Sequence, residues 1–298
     1  MTAAAPVRRR GALAAVPSGL WYAAFFLVPL AAVVLYSFGA KPAGPGVVDL
    51  SSPSADNYAA VLSDTFSSTF RQTVQTSALS TLLLLLIALP VAYCIATRVP
   101  ARWRPLLLGL VIVPFWTSFL LRTFAWRIIL SPLGPVSEGL EGIGLTGGPL
   151  AVLDTRGAVQ LGLVYNYLPL MVFPLFVALD RIDPALREAG KDLGAGRVRT
   201  FLTVTAPLAL PGVVAGVLLV FIPLMGEYVT PTVLGGAKGL MVGNLVASQF
   251  LEAQDVPLGS AMAVVLVGLT LGVIAVVAAA CLLVRTAVRR ARAVELPA

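Results

Sequence analysis

Long apolar stretches alternate with short polar segments along this chain of 298 residues. A membrane-crossing helix needs about 20 predominantly apolar residues, because an α-helix rises about 1.5 Å per residue through roughly 30 Å of hydrocarbon. Six stretches meet this requirement, at about 18–39, 74–97, 106–130, 157–179, 207–231 and 259–284. The pattern therefore predicts an all-α, polytopic membrane protein with six transmembrane helices within residues 18–284.

Prolines interrupt most of these stretches, at Pro29, Pro90, Pro114, Pro169, Pro174 and Pro223. Each proline lacks a backbone N–H and can kink its helix. In hydrocarbon, the freed carbonyl needs a partner from a neighbouring helix or from pore water. Repeated kinks favour a packed bundle around a pathway, although prolines that are simply tolerated in membrane helices are the alternative.

The basic residues predict the orientation of the chain. Fifteen of them lie in the N-terminal segment 1–17, in the loop after the second span, in the loop 180–212 and in the basic tail 285–298, whereas four lie on the opposite side. Because Lys and Arg concentrate on the cytoplasmic side of membrane proteins, both termini are predicted to be cytoplasmic. The loops 40–73 and 131–156 are then external and suit a docking partner.

The first apolar stretch could instead be a cleaved signal peptide, since three arginines precede it. Its length of about 22 residues exceeds the roughly 7–15 residues of a signal-peptide apolar region. A retained membrane helix is therefore favoured.

Composition supports a membrane protein and excludes several chemistries. Charged residues make up 12% of the chain, against roughly 25% in soluble domains. The chain contains no His, and Cys94 and Cys281 fall in different apolar stretches, where each fits a small buried hydrophobe better than half of a disulfide. No metal or catalytic site is predicted. The net charge of +7 comes from loops between spans, so a nucleic-acid partner is not expected.

The loop 180–212 is the most informative polar segment. Asp183 and Pro184 are typical of a helix start, and Gly194 can end that helix in left-handed backbone. The apolar positions between them form one stripe, at Ala185, Leu186, Ala189 and Leu193. One face of this helix is expected to pack on the bundle and the other to face the cytoplasm, although an amphipathic helix can also lie in the lipid headgroups.

A second short helix is predicted at about 198–205. It should stand at an angle to the first, because Gly194 separates them. Pro207 and Pro211 then open the fifth span.

This segment resembles the EAA loop of importer-type ABC permeases. The matching residues are Glu188-Ala189-Gly190, then Gly194, then Leu210-Pro211, with Gly190 in place of the usual third small residue. The resemblance implies that Glu188, Ala189, Gly190, Gly194 and Pro211 couple the chain to a separate ABC ATPase subunit, present as a dimer. That partner would use ATP and Mg²⁺, and this chain would bind no cofactor.

Three further segments extend the resemblance over roughly residues 15–285. They are WTSFLLRTFAW at 116–126, YLPLMVFPL at 167–175 and FIPLMGEYVTP at 221–231. They are similar to permeases of the spermidine/putrescine type (PotB- or PotH-like), a branch that also includes permeases for other solutes. The resemblance implies the type I ABC importer permease (MetI-like) fold in the bacterial inner membrane. It also implies a second permease subunit, either PotC/PotI-like or another copy of this chain, and an extracytoplasmic solute-binding protein.

Glu227 is the main candidate for the substrate pathway. It is predicted near the outer end of the fifth span, where a carboxylate is costly unless it is paired or hydrated. It could attract a cationic substrate. Alternatively, it could pair with Arg122 or Arg127, and such a pair could gate the pathway.

Aromatic and polar residues supply the other pathway candidates. Aromatic faces can bind ammonium groups, and Trp116, Trp126, Tyr165, Tyr167 and Tyr228 could provide them. Thr117 and Asn166 could hydrogen-bond substrate, although such residues more often bond a neighbouring helix. Trp126 also fits an interfacial aromatic belt.

The sequence lacks a GxxxxGK[ST] phosphate loop, since Ala185 stands where the first glycine before Lys191 would be. ATP hydrolysis is therefore assigned to a partner, and the predicted function is the membrane subunit of an ATP-driven importer, by resemblance for polyamines. An ABC permease for another solute is the first alternative. An ion-coupled secondary transporter would need more intramembrane acids than Glu227, and a membrane enzyme lacks a nucleophile–base or metal constellation.

Overall fold

The computed structural model describes residues 16–62 and 64–294, and of residues 64–65 and 280–294 it describes the backbone alone. Most of the predicted N-terminal segment 1–17 lies outside the described residues. The side chains of the basic tail 285–298 and of Cys281 lie outside them as well.

The described chain is helical along most of its length. Its α-helices are α1 (Val28–Tyr36), α2 (Asp56–Val61), α3 (Asp64–Thr97), α4 (Arg104–Ile112), α5 (Phe119–Ile129), α6 (Pro135–Gly142), α7 (Arg156–Asp180), α8 (Pro184–Asp192), α9 (Arg197–Thr200), α10 (Ala206–Met225), α11 (Val242–Leu251) and α12 (Val256–Val294). Short π-helical turns lie at Ala23–Leu27, Phe201–Thr205 and Pro231–Gly235, and 3₁₀ turns at Ala101–Trp103, Val113–Trp116 and Gly236–Lys238.

Five continuous helical runs among the described residues are long and apolar enough to cross a membrane. They are Val16–Tyr36, Phe66–Thr97, Arg156–Asp180, Arg197–Met225 and Val256–Ala279. A sixth span is formed if the bent pair Ala101–Trp116 and Phe119–Ile129 is taken as one crossing.

The third predicted span, 106–130, is two half-helices rather than one helix. They meet at an angle of 86°, with Thr117 in extended backbone at φ −80° and ψ 151°. Pro114 removes one backbone hydrogen bond where the α-helix gives way to the 3₁₀ turn Val113–Trp116, just before the break. The Thr117 hydroxyl donates to the Pro114 carbonyl at 2.8 Å and so satisfies one acceptor beside the break.

The fifth span begins earlier than predicted, because the expected short helix at 198–205 is continuous with it. The helical run starts at Arg197 and passes through Pro207 and Pro211. The turn before Pro207 is π-wound, and the Ala206 N–H bonds to the Phe201 carbonyl. In this wider turn, the helix continues past Pro207 although Pro207 has no backbone N–H to donate.

The same span ends before its predicted limit at residue 231. Helix α10 stops at Met225, and Gly226 caps it. Glu227 and Tyr228 therefore lie in non-helical backbone, and the chain resumes in the π-turn Pro231–Gly235.

Residues 68–245 form one compact unit. Its core lies between α7 and α10, with Leu163, Met171, Leu175, Val220 and Leu224 buried in one apolar cluster. Both helices carry prolines, but small residues keep them in close contact.

Two glycines in α10 permit that contact. A Cβ on Gly212 would lie 2.3 Å from the Ala178 Cβ and 2.6 Å from the Pro174 carbonyl oxygen, and a Cβ on Gly216 would lie 2.8 Å from the Met171 sulfur. Their i, i+4 spacing is the small-xxx-small pattern through which membrane helices approach each other closely.

The second compact unit contains residues 1–67 and 246–298. Within its described part, α12 packs against α1 and α2. The Ser37 and Tyr58 hydroxyls are 2.6 Å apart, and the Asn57 amide donates to the carbonyls of Ser37 and Gly39.

In the loop that follows α1, Ala40 and Asp49 form an isolated antiparallel bridge. The Ser51 N–H donates to the Asp49 carboxylate, which lowers the pKa of Asp49 below its ordinary value.

Candidate functional site

Helix α8 begins and ends where its sequence predicts. The Asp183 carboxylate accepts the Ala185 N–H at 2.9 Å, and Pro184 occupies the first turn. At the other end, Gly194 adopts φ +80°, a left-handed conformation that side chains disfavour. The Ala195 N–H then bonds back to the Gly190 carbonyl at 3.1 Å, which closes the helix with a glycine cap.

The apolar stripe of α8 faces outward in the described chain. Leu193 is 89% exposed and Leu186 is 48% exposed, and Ala185 and Ala189 are exposed beside them. The contact with the rest of the unit is made instead through Gly190. Neighbouring exposed leucines on a structured helix form an apolar surface that suits a partner protein or the lipid headgroups.

Gly190 sets how closely α8 approaches the start of the next helical run. A Cβ on Gly190 would lie 3.3 Å from the Thr200 methyl carbon and 3.7 Å from a Val204 methyl carbon. Thr200 is buried and donates its hydroxyl hydrogen to the Ala195 carbonyl at 3.2 Å. Alanine, the residue more usual at this position in the EAA pattern, would require a shift of a few tenths of an ångström.

Glu188 and Pro211, the first and last residues of the predicted coupling set, occupy different elements. Glu188 lies on α8 and is exposed. Pro211 lies inside α10 and is exposed, next to the buried Gly212. The predicted coupling residues are therefore divided between α8, its glycine cap and the spanning helix α10.

Glu227 accepts three hydrogen bonds from its own neighbourhood. One carboxylate oxygen accepts the Tyr167 hydroxyl at 2.6 Å, and the other accepts the backbone N–H groups of Val229 and Thr230 at 2.8 and 3.1 Å. Glu227 is 8% exposed. The side chain thus caps the backbone that leaves α10 and ties it to α7.

Neither Arg122 nor Arg127 forms an ion pair with Glu227 in the described part of the chain. The Arg127 guanidinium lies 3.8 Å from the Asp154 carboxylate and donates to the Val233 carbonyl. The alternative in which Glu227 pairs with Arg122 or Arg127 is therefore not seen, and Glu227 bonds Tyr167 while Arg127 lies beside Asp154. Sequence distance could not reveal this, because Asp154 comes from the loop before α7.

Arg122 is buried against aromatic rings. Its guanidinium carbon lies 4.5 Å from the centre of the Phe115 ring and 5.8 Å from that of Phe119. Its Nε and Nη1 atoms are buried and have no hydrogen-bond partner among the described residues.

Asn166 bonds a neighbouring helix. Its side-chain amide donates to the hydroxyl of Thr123, the residue after Arg122 on α5, at 3.1 Å.

Apart from Tyr167, the predicted aromatic residues comprise one contacting pair and two separate positions. Trp126 and Tyr165 pack edge to face, with ring centres 5.3 Å apart. Trp116 is 84% exposed beside the break at Thr117. Tyr228 is 45% exposed, and its carbonyl accepts the side chains of Asn244 and Thr232.

Comparison with known proteins identifies the family to which this chain belongs. Residues 85–291 match the family described as "Binding-protein-dependent transport system inner membrane component". The chain belongs to this family. It is a permease subunit of an ABC importer, as the EAA resemblance predicts.

Relatives of this permease carry a more specific name. It is 39% identical over 211 residues to "Spermidine/putrescine transport system permease protein PotB" of Salmonella typhimurium, covering 71% of this chain and 73% of the relative. The protein of the same name in Escherichia coli is 38% identical over 211 residues, covering 71% and 76%.

A solved structure has the same fold. It is the "Crystal structure of bacterial alginate ABC transporter in complex with alginate pentasaccharide-bound periplasmic protein", with a TM-score of 0.68 at 17% identity, covering 90% of this permease and 93% of that chain. The predicted type I ABC importer permease fold is confirmed, and the permease is an inner-membrane component.

Sequence reasoning left Phe119 and Asn244 of the permease outside the predicted site, and it predicted Tyr167 only as an aromatic face. Tyr167 holds Glu227, Phe119 packs edge to face on Tyr167 at 6.2 Å, and Asn244 holds the Tyr228 carbonyl. The Tyr167 hydroxyl, rather than its ring face, is the group that contacts Glu227. The predicted depths did not indicate the pair, because Tyr167 falls at the middle of the span 157–179 and Glu227 near the outer end of the fifth span. A tyrosine in an apolar stretch indicates only that its hydroxyl needs a partner.

Proposed function

We propose that this permease docks a separate ABC ATPase through helix α8, and that ATP hydrolysis by the ATPase dimer drives import. The exposed apolar face of α8, formed by Leu186, Ala189 and Leu193, supports the proposal most directly. The helix is capped at both ends and approaches Thr200 and Val204 closely at Gly190. The helix can therefore stay folded when a bound partner displaces it.

The coupling role is tested by reversing the charge of Glu188 in the reconstituted transporter. Glu188→Lys should abolish ATP-dependent uptake while membrane insertion and Tm stay normal, because the side chain is exposed. Glu141→Lys is the matched control, since Glu141 is an exposed glutamate on α6. Normal uptake by Glu188→Lys would count against the coupling role.

The remaining partners follow from the family. Its description names a binding protein, and the alginate importer of the same fold was solved with a periplasmic one. We propose that an extracytoplasmic solute-binding protein delivers substrate to the external loops, and that a second permease subunit completes the pathway. Mg²⁺ and ATP are bound by the ATPase. Both termini of the permease are cytoplasmic in this arrangement, which reporter fusions at each terminus would test.

We propose polyamines of the spermidine and putrescine type as the substrate. The two PotB relatives support this choice by name and by identity. The Trp126–Tyr165 pair and the Glu227 carboxylate offer aromatic faces and negative charge, which suit ammonium groups.

Calorimetry of the cognate binding protein with spermidine and putrescine tests the substrate. Saturable binding of either polyamine supports the proposal. Absence of binding to both would overturn the substrate while leaving the importer assignment intact.

A further inference from the structure

A cavity of about 730 Å³ lies behind helix α8 in the unit formed by residues 68–245. Its walls come from the end of α3, the start of α4, the end of α7, α8 and α9. Tyr93 and Phe201 line its apolar side and pack edge to face, with ring centres 5.4 Å apart. The volume lies in the range of small-molecule sites, roughly 300–1,000 Å³.

Positive charge dominates this cavity. Its charged lining consists of five basic residues, Arg98, Arg104, Arg187, Lys191 and Arg197, and two acidic residues, Asp180 and Glu188. Arg104 already pairs with Asp180 at 2.5 Å and donates to the Val99 carbonyl. Four basic side chains therefore remain against the single carboxylate of Glu188.

One of those basic groups has an unused buried donor. The Nη1 atom of Arg187 is buried and finds no hydrogen-bond partner within the described part of the chain. A buried guanidinium nitrogen without an acceptor is costly, so an external acceptor in the cavity would stabilise it.

The cavity and the apolar docking face of α8 lie on different sides of the helix, although Glu188, one of the predicted coupling residues, lines the cavity. Pro184, Arg187, Glu188 and Lys191 line the cavity. Their i, i+3 and i+4 spacings place them on one side of the helix, whereas Leu186, Ala189 and Leu193 share the other side. A ligand in the cavity would therefore contact the coupling helix without competing for its apolar face.

We infer that this cavity binds a phosphate-bearing anion, which holds α8 against α3 and α9. Arginine is suited to phosphate because its guanidinium can donate two parallel hydrogen bonds. Basic pockets between membrane helices near the cytoplasmic surface bind anionic lipid headgroups. Two sources share this chemistry, namely the phosphodiester of an anionic phospholipid and free inorganic phosphate.

The test uses the purified full-length permease in nanodiscs, without ATPase or substrate, so it is independent of the proposed function. One preparation contains phosphatidylcholine alone, a second contains added phosphatidylglycerol, and a third contains phosphatidylcholine with inorganic phosphate in the buffer. The Tm is measured at increasing concentrations of each anion, and native mass spectrometry counts retained phosphatidylglycerol.

The central variant is the double substitution Arg187→Gln and Arg197→Gln. We expect its affinity for the anion to fall about fivefold for each arginine removed. The double substitution Arg181→Gln and Arg199→Gln removes the same charge from exposed positions outside the cavity lining, and should bind like the parent. Arg187→Lys with Arg197→Lys keeps the charge, and should recover most of the binding if the first pair folds poorly.

A response to phosphatidylglycerol alone identifies a lipid site, and a response to inorganic phosphate identifies a soluble anion. Either response supports anion binding in the cavity, provided that the Arg187 and Arg197 substitutions weaken it and the Arg181 and Arg199 substitutions do not. Equal responses of the two double variants, or no response of the parent to either anion, would overturn the inference.

Discussion

The hydroxyl of Tyr167 donates a 2.6 Å hydrogen bond to the carboxylate of Glu227, joining the centre of α7 to the non-helical backbone that follows α10. The same carboxylate accepts two backbone N–H groups. Glu227 therefore combines a structural role with a negative charge at the predicted pathway, and substitutions can separate the two.

Glu227→Gln should preserve the fold and weaken the attraction of a cationic substrate. A glutamine oxygen can accept both backbone N–H groups, and its NH₂ can donate to the Tyr167 oxygen. We expect an unchanged Tm and a raised KM for polyamine uptake. Glu227→Ala leaves all three donors unpaired and should cost about 1–3 kcal/mol of stability.

Thermal unfolding and uptake kinetics of both Glu227 variants check this prediction. An equal loss of Tm in the two variants would contradict the capping role. An unchanged KM in Glu227→Gln would contradict the role in substrate attraction.

Gly212→Ala should separate α7 from α10. The new methyl group would meet Ala178 at 2.3 Å and the Pro174 carbonyl at 2.6 Å, and backbone cannot give way cheaply. We expect a loss of about 1–3 kcal/mol, typical of an overpacked core, measured by thermal or denaturant unfolding in detergent. Gly109→Ala is the matched control, since a Cβ there meets nothing within 4 Å. Equal stability of the two variants would show that α7 and α10 are not held this closely.

Leu193→Asp should uncouple the permease from its ATPase without unfolding it. Leu193 is 89% exposed, so the change leaves the free subunit stable, whereas a charge buried in an apolar contact should weaken ATPase association by about tenfold or more. Co-purification and permease-dependent ATPase activity measure the effect. Leu145→Asp, at a similarly exposed leucine in the loop before α7, should bind the ATPase normally. Wild-type coupling by Leu193→Asp would exclude this face of α8 as the contact.

Gly194→Ala should strain the end of α8. Gly194 has φ +80°, and a side chain in left-handed backbone costs about 1–2 kcal/mol. Gly196 has φ −61° and open space around it, so Gly196→Ala should be nearly neutral. We expect lower Tm and lower coupled uptake for Gly194→Ala alone, and Gly194→Asn should recover part of the loss. Identical behaviour of the two alanine variants would rule out the left-handed cap.

Local signals predicted the parts of the site that depend on neighbouring residues. Asp183, Pro184 and Gly194 define α8 through capping chemistry, which acts over a few residues. The apolar length of each stretch likewise predicts where helices can cross the membrane.

The sequence did not predict which residues far apart along the chain contact each other. The partner of Arg127 is Asp154, and that of Glu227 is Tyr167, because helix packing and the early end of α10 determine which groups meet. Pro207 is ambiguous by itself, since it can begin a helix or lie within one. The π-turn before Pro207 depends on the surrounding backbone, and it places Pro207 within the helical run.

The bend at Thr117 gives this subunit an electrostatic asymmetry. Helix α5 starts anew at Phe119 without a side-chain cap, so its first N–H groups carry the partial positive charge of a helix N-terminus. Arg122 adds a full positive charge one turn later, and no acidic side chain pairs with it among the side chains described at 16–62 and 66–279. This corner therefore disfavours a cation, and the Glu227 carboxylate is a negative charge of this chain that would offset it if the route of a cationic cargo passes here.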